Sequence, residues 1–185
     1  MSSNTNQQYD AISRNCEELF INKARDYGTA WRVLRTISII DQIYIKAQRI
    51  RTIQEKGAQL VDDDIRGEFV GIINYSVIGL IQLELTENDP EELDIETVHQ
   101  LYHKYIMAAK DLMQNKNHDY GEAWRNMSQE SFVDLILMKL QRMRQIVSNK
   151  GKTLVSEGLD ANYFDMINYA VFALIMQEEA KMNAI

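Results

Sequence analysis

The sequence contains few residues that interrupt helices: one proline and eight glycines among 185 residues. Because proline and glycine end or weaken helices, this scarcity leaves long segments free to form them. Apolar residues recur at steps of three and four, as at Ile40, Ile43, Ala47 and Ile50, and no segment sustains an alternation with period two. We therefore predict an all-α protein.

Cysteine and long apolar runs are also scarce. Cys16 is the single cysteine, which excludes an internal disulfide and fits a reducing compartment. The polar N-terminal segment lacks the apolar core of a secretory signal. The most apolar stretch, residues 69–85, is short and is interrupted by Asn74, Gln82 and Glu84. These features predict a cytoplasmic protein without a membrane partner.

The sequence also lacks several common chemical motifs. It has no glycine-rich phosphate loop. His99 and His103 are four residues apart but lack the intervening glutamate of a zinc protease motif, so we interpret them as part of a solvated helix face. The net charge of -7 disfavours a nucleic-acid polymer as partner, because binding to its backbone depends on clustered basic residues.

Local basic clusters leave a small phosphorylated ligand possible. Each cluster consists of a lysine and two arginines on a predicted helix. These residues either bind the phosphate of such a ligand or form the solvated face of the helix. The two clusters are Lys46, Arg49 and Arg51, and Lys139, Arg142 and Arg144.

One segment occurs twice. Residues 23–32 read KARDYGTAWR and residues 116–125 read KNHDYGEAWR, with seven of ten positions identical at an offset of 93. The similarity continues through residues 41–51 and 134–144, and then, at an offset of 94, through Ile-Asn-Tyr at 73–75 and 167–169. Such self-similarity indicates a duplicated architecture. We predict a helical bundle of two tandem three-helix repeats, residues 1–88 and 89–185, packed as a pseudo-twofold dimer.

The boundaries of the helices follow from local signals. Gly28 and Gly121 are expected to end the first helix of each repeat, because glycine tolerates the left-handed conformation found there. The first helix is expected from about Tyr9, and the third from about Asp63 and its equivalent Glu157. At the joint between the repeats, Asp89 and the following proline predict a helix start near residue 91, with residue 96 as the alternative. The third helices are apolar nearly all round, which predicts a central position in the bundle.

The repeated segment has two interpretations. In the structural one, Lys23 and Asp26 form a surface ion pair and the tryptophan anchors the core. In the functional one, lysine, aspartate and Arg32 converge at the helix end, and an aromatic ring offers a flat surface for a base. Recurrence of aspartate, tyrosine and arginine in both copies favours a site.

The third helices carry polar residues inside apolar runs. Asn74 and Asn168 need hydrogen bonds if they are buried, either between helices or with a ligand. Asp165, one turn before Asn168, and Glu157 would lie near the same helix face, which suits Mg²⁺ with water and phosphate oxygens. In the first repeat Gly71 stands in place of Asp165, so we expect the second repeat to hold the complete site.

These motifs in this order, Lys-x-x-Asp-Tyr-Gly, Lys-x-x-Arg and Asp-x-x-Asn-Tyr, resemble the nucleotide modification associated domain 1 family. The resemblance covers both halves of the chain. It implies a relation to the all-α nucleoside triphosphate pyrophosphohydrolases of the MazG and dimeric dUTPase group. It further implies a Mg²⁺-dependent nucleotide site in which carboxylates hold the metal and basic residues bind phosphates.

The resemblance and the repeat together give the predicted site. Catalytic roles are expected for Asp119, Asp134 and Asn168. Metal ligands are expected to be Asp165, Glu157, Asp111 and Glu18. The expected substrate-binding residues are Lys23, Asp26, Tyr27, Arg32, Lys46, Arg49, Asn74, Lys116, Tyr120, Arg125, Lys139 and Arg142.

The sequence leaves three alternative functions. The first is Mg²⁺-dependent hydrolysis of a nucleoside triphosphate or related nucleotide. The second is a nucleotide-binding module without catalysis, because Gly71 replaces an acid and the acidic motif of the pyrophosphohydrolase first helix is absent. The third is a helical scaffold without a ligand. The long apolar helices also suggest a homodimer.

Overall fold

The computed structural model describes residues 2–57, 64–152 and 157–184, with side chains from residue 4 onward. These residues form six α-helices and contain no strand, so the predicted all-α class is confirmed. The helices are α1 (Ser2–Tyr27), α2 (Thr36–Lys56), α3 (Ile65–Glu84), α4 (Ile95–Tyr120), α5 (Gln129–Ser148) and α6 (Leu159–Asn183). In this part of the chain, no helix is long and apolar enough to cross a membrane.

The repeated segment forms the end of a first helix and a short 3₁₀ turn in each copy. Gly28 and Gly121 follow α1 and α4 with φ of 63° and 62°, so both predicted glycine stops are confirmed. The 3₁₀ turns span Ala30–Val33 and Ala123–Asn126. The tryptophan and arginine of each copy therefore sit on a turn whose direction the preceding glycine sets.

The predicted start of α1 is wrong, and of the two starts offered for α4 only the alternative near residue 96 agrees with the structure. Helix α1 begins at Ser2 rather than near Tyr9. Helix α4 begins at Ile95, close to the alternative start, because the side chain of Asp94 accepts a hydrogen bond from the Thr97 backbone at 2.8 Å. Asp89 instead closes a turn within the connection between the repeats. The predicted start of the third helix at Asp63 lies outside the described residues.

Equivalent helices of the two repeats face each other. Helix α3 packs against α6, α2 against α5, and α1 against α4. This pairing of like with like is the arrangement expected of a pseudo-twofold dimer within one chain. The third helices α3 and α6 carry the longest runs of buried residues, from Phe69 to Ile81 and from Asn162 to Ile175, which confirms their central position.

The buried asparagine of α3 connects three helices. The amide nitrogen of Asn74 donates to the backbone oxygen of Cys16 in α1 at 3.2 Å. Its side-chain oxygen accepts a hydrogen bond from the hydroxyl of Tyr102 in α4 at 2.7 Å. The asparagine thus binds its own repeat through the backbone and the other repeat through a tyrosine.

The asparagine of α6 makes the same connections with the repeats exchanged. Asn168 donates to the backbone oxygen of Ala109 in α4 at 3.0 Å and accepts from the hydroxyl of Tyr9 in α1 at 2.8 Å. Burial raises the pKa of both Tyr9 and Tyr102 well above the ordinary value, so both hydroxyls keep the proton that they donate. The pair of asparagines is therefore a symmetric buried lock between the repeats.

One close approach in the core depends on a missing side chain. A Cβ atom at Gly79 in α3 would lie 2.3 Å from Cζ of Tyr163 in α6. Tyr163 is completely buried, so its ring cannot move away into water. Gly79 therefore allows α3 and α6 to pack across the pseudo-twofold axis at this point.

We expect Gly79→Ala to lower the free energy of unfolding by about 1–3 kcal/mol, the usual cost of overpacking a core. Gly67 is the matched control, because it lies in the same helix and a Cβ there would meet nothing within 4 Å. Gly67→Ala should raise stability by about 0.5 kcal/mol through helix propensity. Urea unfolding of both variants measures this, and equal effects would contradict the packing of Tyr163 on Gly79.

Candidate functional site

Each repeat holds one pocket where the end of its first helix meets its third helix. The pocket of the first repeat has a volume of about 230 Å³ and that of the second about 240 Å³. Ten positions line both, and six of them carry the same residue in both. The six shared pairs are Lys23 and Lys116, Tyr27 and Tyr120, Ala30 and Ala123, Trp31 and Trp124, Asn74 and Asn168, and Tyr75 and Tyr169.

Aromatic rings form much of both pocket walls. Tyr27 and Tyr120 are 73% and 75% exposed, although each sits beside apolar lining residues. Trp124 stacks on Phe172 with ring centroids 4.2 Å apart and planes 5° apart. The indole nitrogens of Trp31 and Trp124 are buried and have no hydrogen-bond partner among the described residues. The pockets thus combine flat apolar surfaces with lysine.

The acid of the second pocket is held by two lysines. One carboxylate oxygen of Asp165 accepts from Nζ of Lys116 at 2.7 Å, and the other accepts from Nζ of Lys139 at 2.6 Å. Asp165 and Lys139 are buried, whereas about half of the Lys116 side chain is exposed. Partial burial alone would lower the pKa of Lys116, but its bond to Asp165 outweighs this and raises the pKa above its ordinary value. The predicted metal ligand Asp165 is therefore the anion of a double ion pair.

The first pocket has no acid at the equivalent position, Gly71. The side chain of Lys46 passes so close that a Cβ at Gly71 would lie 2.7 Å from its Cδ. Lys46 pairs with Glu68 at 3.6 Å, and the same carboxylate binds Arg49 at 2.6 Å. Lys23 has no ion pair or hydrogen bond within the described ranges. The acid that pairs with Lys46 therefore lies outside the described pocket lining.

Arg32, a predicted ligand-binding residue, holds the connection between the repeats. Its guanidinium donates to the backbone oxygens of Pro90 at 3.2 Å and Thr86 at 3.2 Å, and to the side chain of Gln82. The residue is absent from the described lining of the first pocket. Its recurrence in the second copy is explained by an equivalent structural role.

Arg125 fastens the beginning of α1 to the end of α6. Its Nη1 binds Glu179 at 2.9 Å, and its Nη2 donates to Thr5 at 2.8 Å and Gln8 at 3.0 Å. The guanidinium also lies over the ring of Trp124 at 4.4 Å. Arg125 thus supports the pocket wall from behind while tying the two repeats together.

The predicted aspartates of the helix ends and of α5 lie at the surface. Asp119 is 74% exposed and contacts His118 at 3.1 Å, and Asp134 is 62% exposed and lies 3.7 Å from Arg51. Asp26 and Arg142 are also exposed. None of these four predicted residues lines either described pocket. Of the predicted catalytic set, only Asn168 lines a pocket.

The four predicted metal ligands do not form one cluster. Glu18, Asp111 and Glu157 are exposed, whereas Asp165 is buried with both oxygens bonded to lysines. Across residues 2–57, 64–152 and 157–184, no group of three or more acidic, histidine or cysteine side chains could hold a metal ion. The predicted ligands therefore form no all-protein cage for Mg²⁺ within these ranges.

Sequence reasoning missed the tyrosines that bind the buried asparagines. Tyr9 and Tyr102 are separated by 93 residues, the same offset as the repeated segment. Extending the comparison of the repeats into α1 and α4 finds this pair. The contacts of Glu68 with Lys46 and Arg49 have no such signal, because Asn162 stands at the equivalent position in the second repeat.

The fold and the paired pockets define a class: duplicated all-α proteins with one pocket in each repeat. The family model described as nucleotide modification associated domain 1 matches residues 23–83 and again residues 116–176. The chain therefore belongs to this family and contains two copies of its domain. Both matches begin at the lysine of the repeated segment and include most of the pocket lining. No curated protein and no solved structure matches the chain significantly.

The double ion pair of Asp165 is expected to stabilise the fold strongly. Asp165→Ala leaves the buried charge of Lys139 without a partner, and we expect a loss of about 3–5 kcal/mol in the free energy of unfolding. Glu68→Ala is the matched change in the first repeat. It should cost about 1 kcal/mol, because Lys46 and Arg49 remain 26% and 24% exposed to water. Urea unfolding compares the two variants, and a larger effect of Glu68→Ala would contradict this assignment.

Proposed function

We propose that this protein binds a nucleotide, or a similar small phosphorylated molecule, in a pocket of its duplicated domain. The proposal is based on the pocket lining that recurs in both repeats. In each repeat, a lysine, two tyrosines, a tryptophan and an asparagine line one pocket. Membership of a family described as nucleotide modification associated supports the same class of ligand.

The chemistry of the lining suits the two parts of a nucleotide. Lysine ammonium groups attract and donate to phosphate oxygens. Aromatic faces stack on a base without selecting a particular one. Tyr27 and Lys23 are both exposed at the first pocket, so a ligand can reach them without opening the core. These features favour recognition of the ligand class and leave the identity of the base open.

Purely structural roles explain only part of the repeated segment. Arg32 and Arg125 hold connecting segments, the glycines end helices, and Asn74 and Asn168 lock the repeats. The exposed Tyr27 and its equivalent make no such contribution, since about three quarters of each side chain faces solvent. A scaffold without a ligand therefore leaves the exposed aromatic residues unexplained.

Binding is better supported than hydrolysis. Pyrophosphohydrolase chemistry, which the resemblance implies, would need carboxylates that gather a metal ion and activate water. Asp119 and Asp134 lie away from the pocket linings, and both oxygens of Asp165 are bonded to lysines. We therefore propose a nucleotide-binding module, with turnover tested in the same experiment.

The test is a thermal-shift and calorimetric titration of the wild-type chain against nucleoside mono-, di- and triphosphates, with and without Mg²⁺. We expect at least one nucleotide to raise Tm without release of pyrophosphate. Lys23→Ala should weaken its binding by roughly tenfold, because a charge-assisted contact to phosphate is lost. Lys56→Ala, which removes an exposed lysine outside both pocket linings, should leave the affinity unchanged.

Two outcomes would change the assignment. Absence of binding by every nucleotide would refute a nucleotide as the ligand. Pyrophosphate release that depends on Mg²⁺ would instead establish the hydrolase alternative.

A further inference from the structure

The linings of the two pockets differ in charge, and one of the differing positions is that of Gly71 and Asp165. Asp165 lines the second pocket and Gly71 occupies the equivalent place in the first. In the second pocket, Asp165 pairs with Lys116 and also with Lys139. In the first, Lys23 and Lys46 both line the space and none of the described lining residues is acidic. The described lining of the first pocket therefore carries two lysines and no acid, whereas that of the second carries one lysine and the aspartate that binds it.

Asp165 shows how a carboxylate binds between the two lysines of the second repeat. Its carboxylate oxygens lie 2.7 Å from Nζ of Lys116 and 2.6 Å from Nζ of Lys139, one oxygen to each lysine. Lys23 and Lys46 are the equivalents of these two lysines in the first repeat. In the second repeat, the side chain of Asp165 thus occupies the place between two lysines. The equivalent place in the first repeat carries no acid.

We infer that the first pocket is the anion site of this protein, and that a phosphate group binds between Lys23 and Lys46 in the place that the Asp165 carboxylate takes in the second pocket. The second pocket is closed to such a group by its own side chain. This inference rests on the proposed function and reverses the sequence-based expectation that the second repeat holds the complete site.

The contacts of Lys46 allow it to turn toward a ligand. Its separation of 3.6 Å from Glu68 is long, and Glu68 keeps the shorter contact of 2.6 Å with Arg49 when Lys46 leaves. Lys46 is also 26% exposed, whereas its equivalent Lys139 is 8% exposed. Since a phosphate offers more negative charge than one carboxylate shared with an arginine, the ligand competes well for Lys46.

Gly71 has a specific part in this arrangement. A side chain at this position would meet Lys46, whose Cδ and Cε would lie 2.7 Å from the new Cβ. An aspartate there would displace the flexible end of Lys46 and then bind it, as Asp165 binds Lys139. Gly71 therefore keeps the first pocket free of an internal anion.

The chain provides a separate reporter for each pocket. Its two tryptophans are Trp31, which lines the first pocket, and Trp124, which lines the second. Trp124→Phe leaves Trp31 as the only reporter, and Trp31→Phe leaves Trp124. Inorganic pyrophosphate is the probe, because it tests the anion site without a base. We expect it to change the fluorescence of Trp31 with saturation, to leave Trp124 unaffected, and to bind with one equivalent per chain in calorimetry.

Exchanging the residues at positions 71 and 165 tests the inference further. In the Trp124→Phe background, Gly71→Asp should weaken pyrophosphate binding by at least about tenfold, because the new carboxylate occupies both lysines. In the Trp31→Phe background, Asp165→Gly should create a response of Trp124. Far-UV circular dichroism checks that each variant is folded, and if Asp165→Gly unfolds, the Gly71→Asp variant alone decides.

Several results would overturn the inference. These are a response of Trp124 alone, equal responses of both tryptophans, no response of either, or unchanged binding in a folded Gly71→Asp variant. The proposed function is judged separately by the nucleotide titration. Nucleotide binding without any effect of pyrophosphate would refute the anion site and leave the proposed function standing, whereas absence of nucleotide binding would refute a nucleotide as the ligand.

Discussion

The structure depends on a buried hydrogen bond between a tyrosine hydroxyl and an asparagine side chain, made once in each direction across the pseudo-twofold axis. An amide inside an apolar helix is costly to bury unless it is bonded. Asn74 and Asn168 meet this requirement by joining α3 and α6 to tyrosines of the opposite repeat. Since the same asparagines line the two pockets, the contact that fixes the register of the repeats also fixes part of each pocket wall.

The acid that pairs with the buried or partly buried lysines lies at a different position in each repeat. Each has lysines beside an apolar core, and such charges need a nearby acid. In the second repeat Asp165 supplies it inside the pocket. In the first, Glu68 supplies it one turn before Gly71, outside the described pocket lining. Placing the acid three residues earlier keeps Lys46 paired and leaves the described lining of the first pocket without an acid.

Much of the fold could be predicted from the sequence because it follows local and periodic signals. Glycine stops at Gly28 and Gly121, the helical period, and the apolar third helices all hold in the structure. The roles of Arg32 and Asp165 could not be predicted, because their partners are 26 to 58 residues away along the chain. The repeat indicates that equivalent residues have the same role in both halves. The three-dimensional contacts show what that role is. The apolar faces that suggested a homodimer pack against each other within one chain, and association of two chains stays a prediction.

The position of the first helices shows why the repeats depend on each other. The beginning of α1 is held by the second repeat at consecutive points, through Arg125 at Thr5 and through Asn168 at Tyr9. Its end, by contrast, forms the pocket of its own repeat with α3. Because one continuous helix joins these contacts, removing the second repeat would free the beginning of the helix whose end carries Lys23. The pocket that carries Lys23 therefore depends on the contacts of α1 with the second repeat as well as on its own repeat.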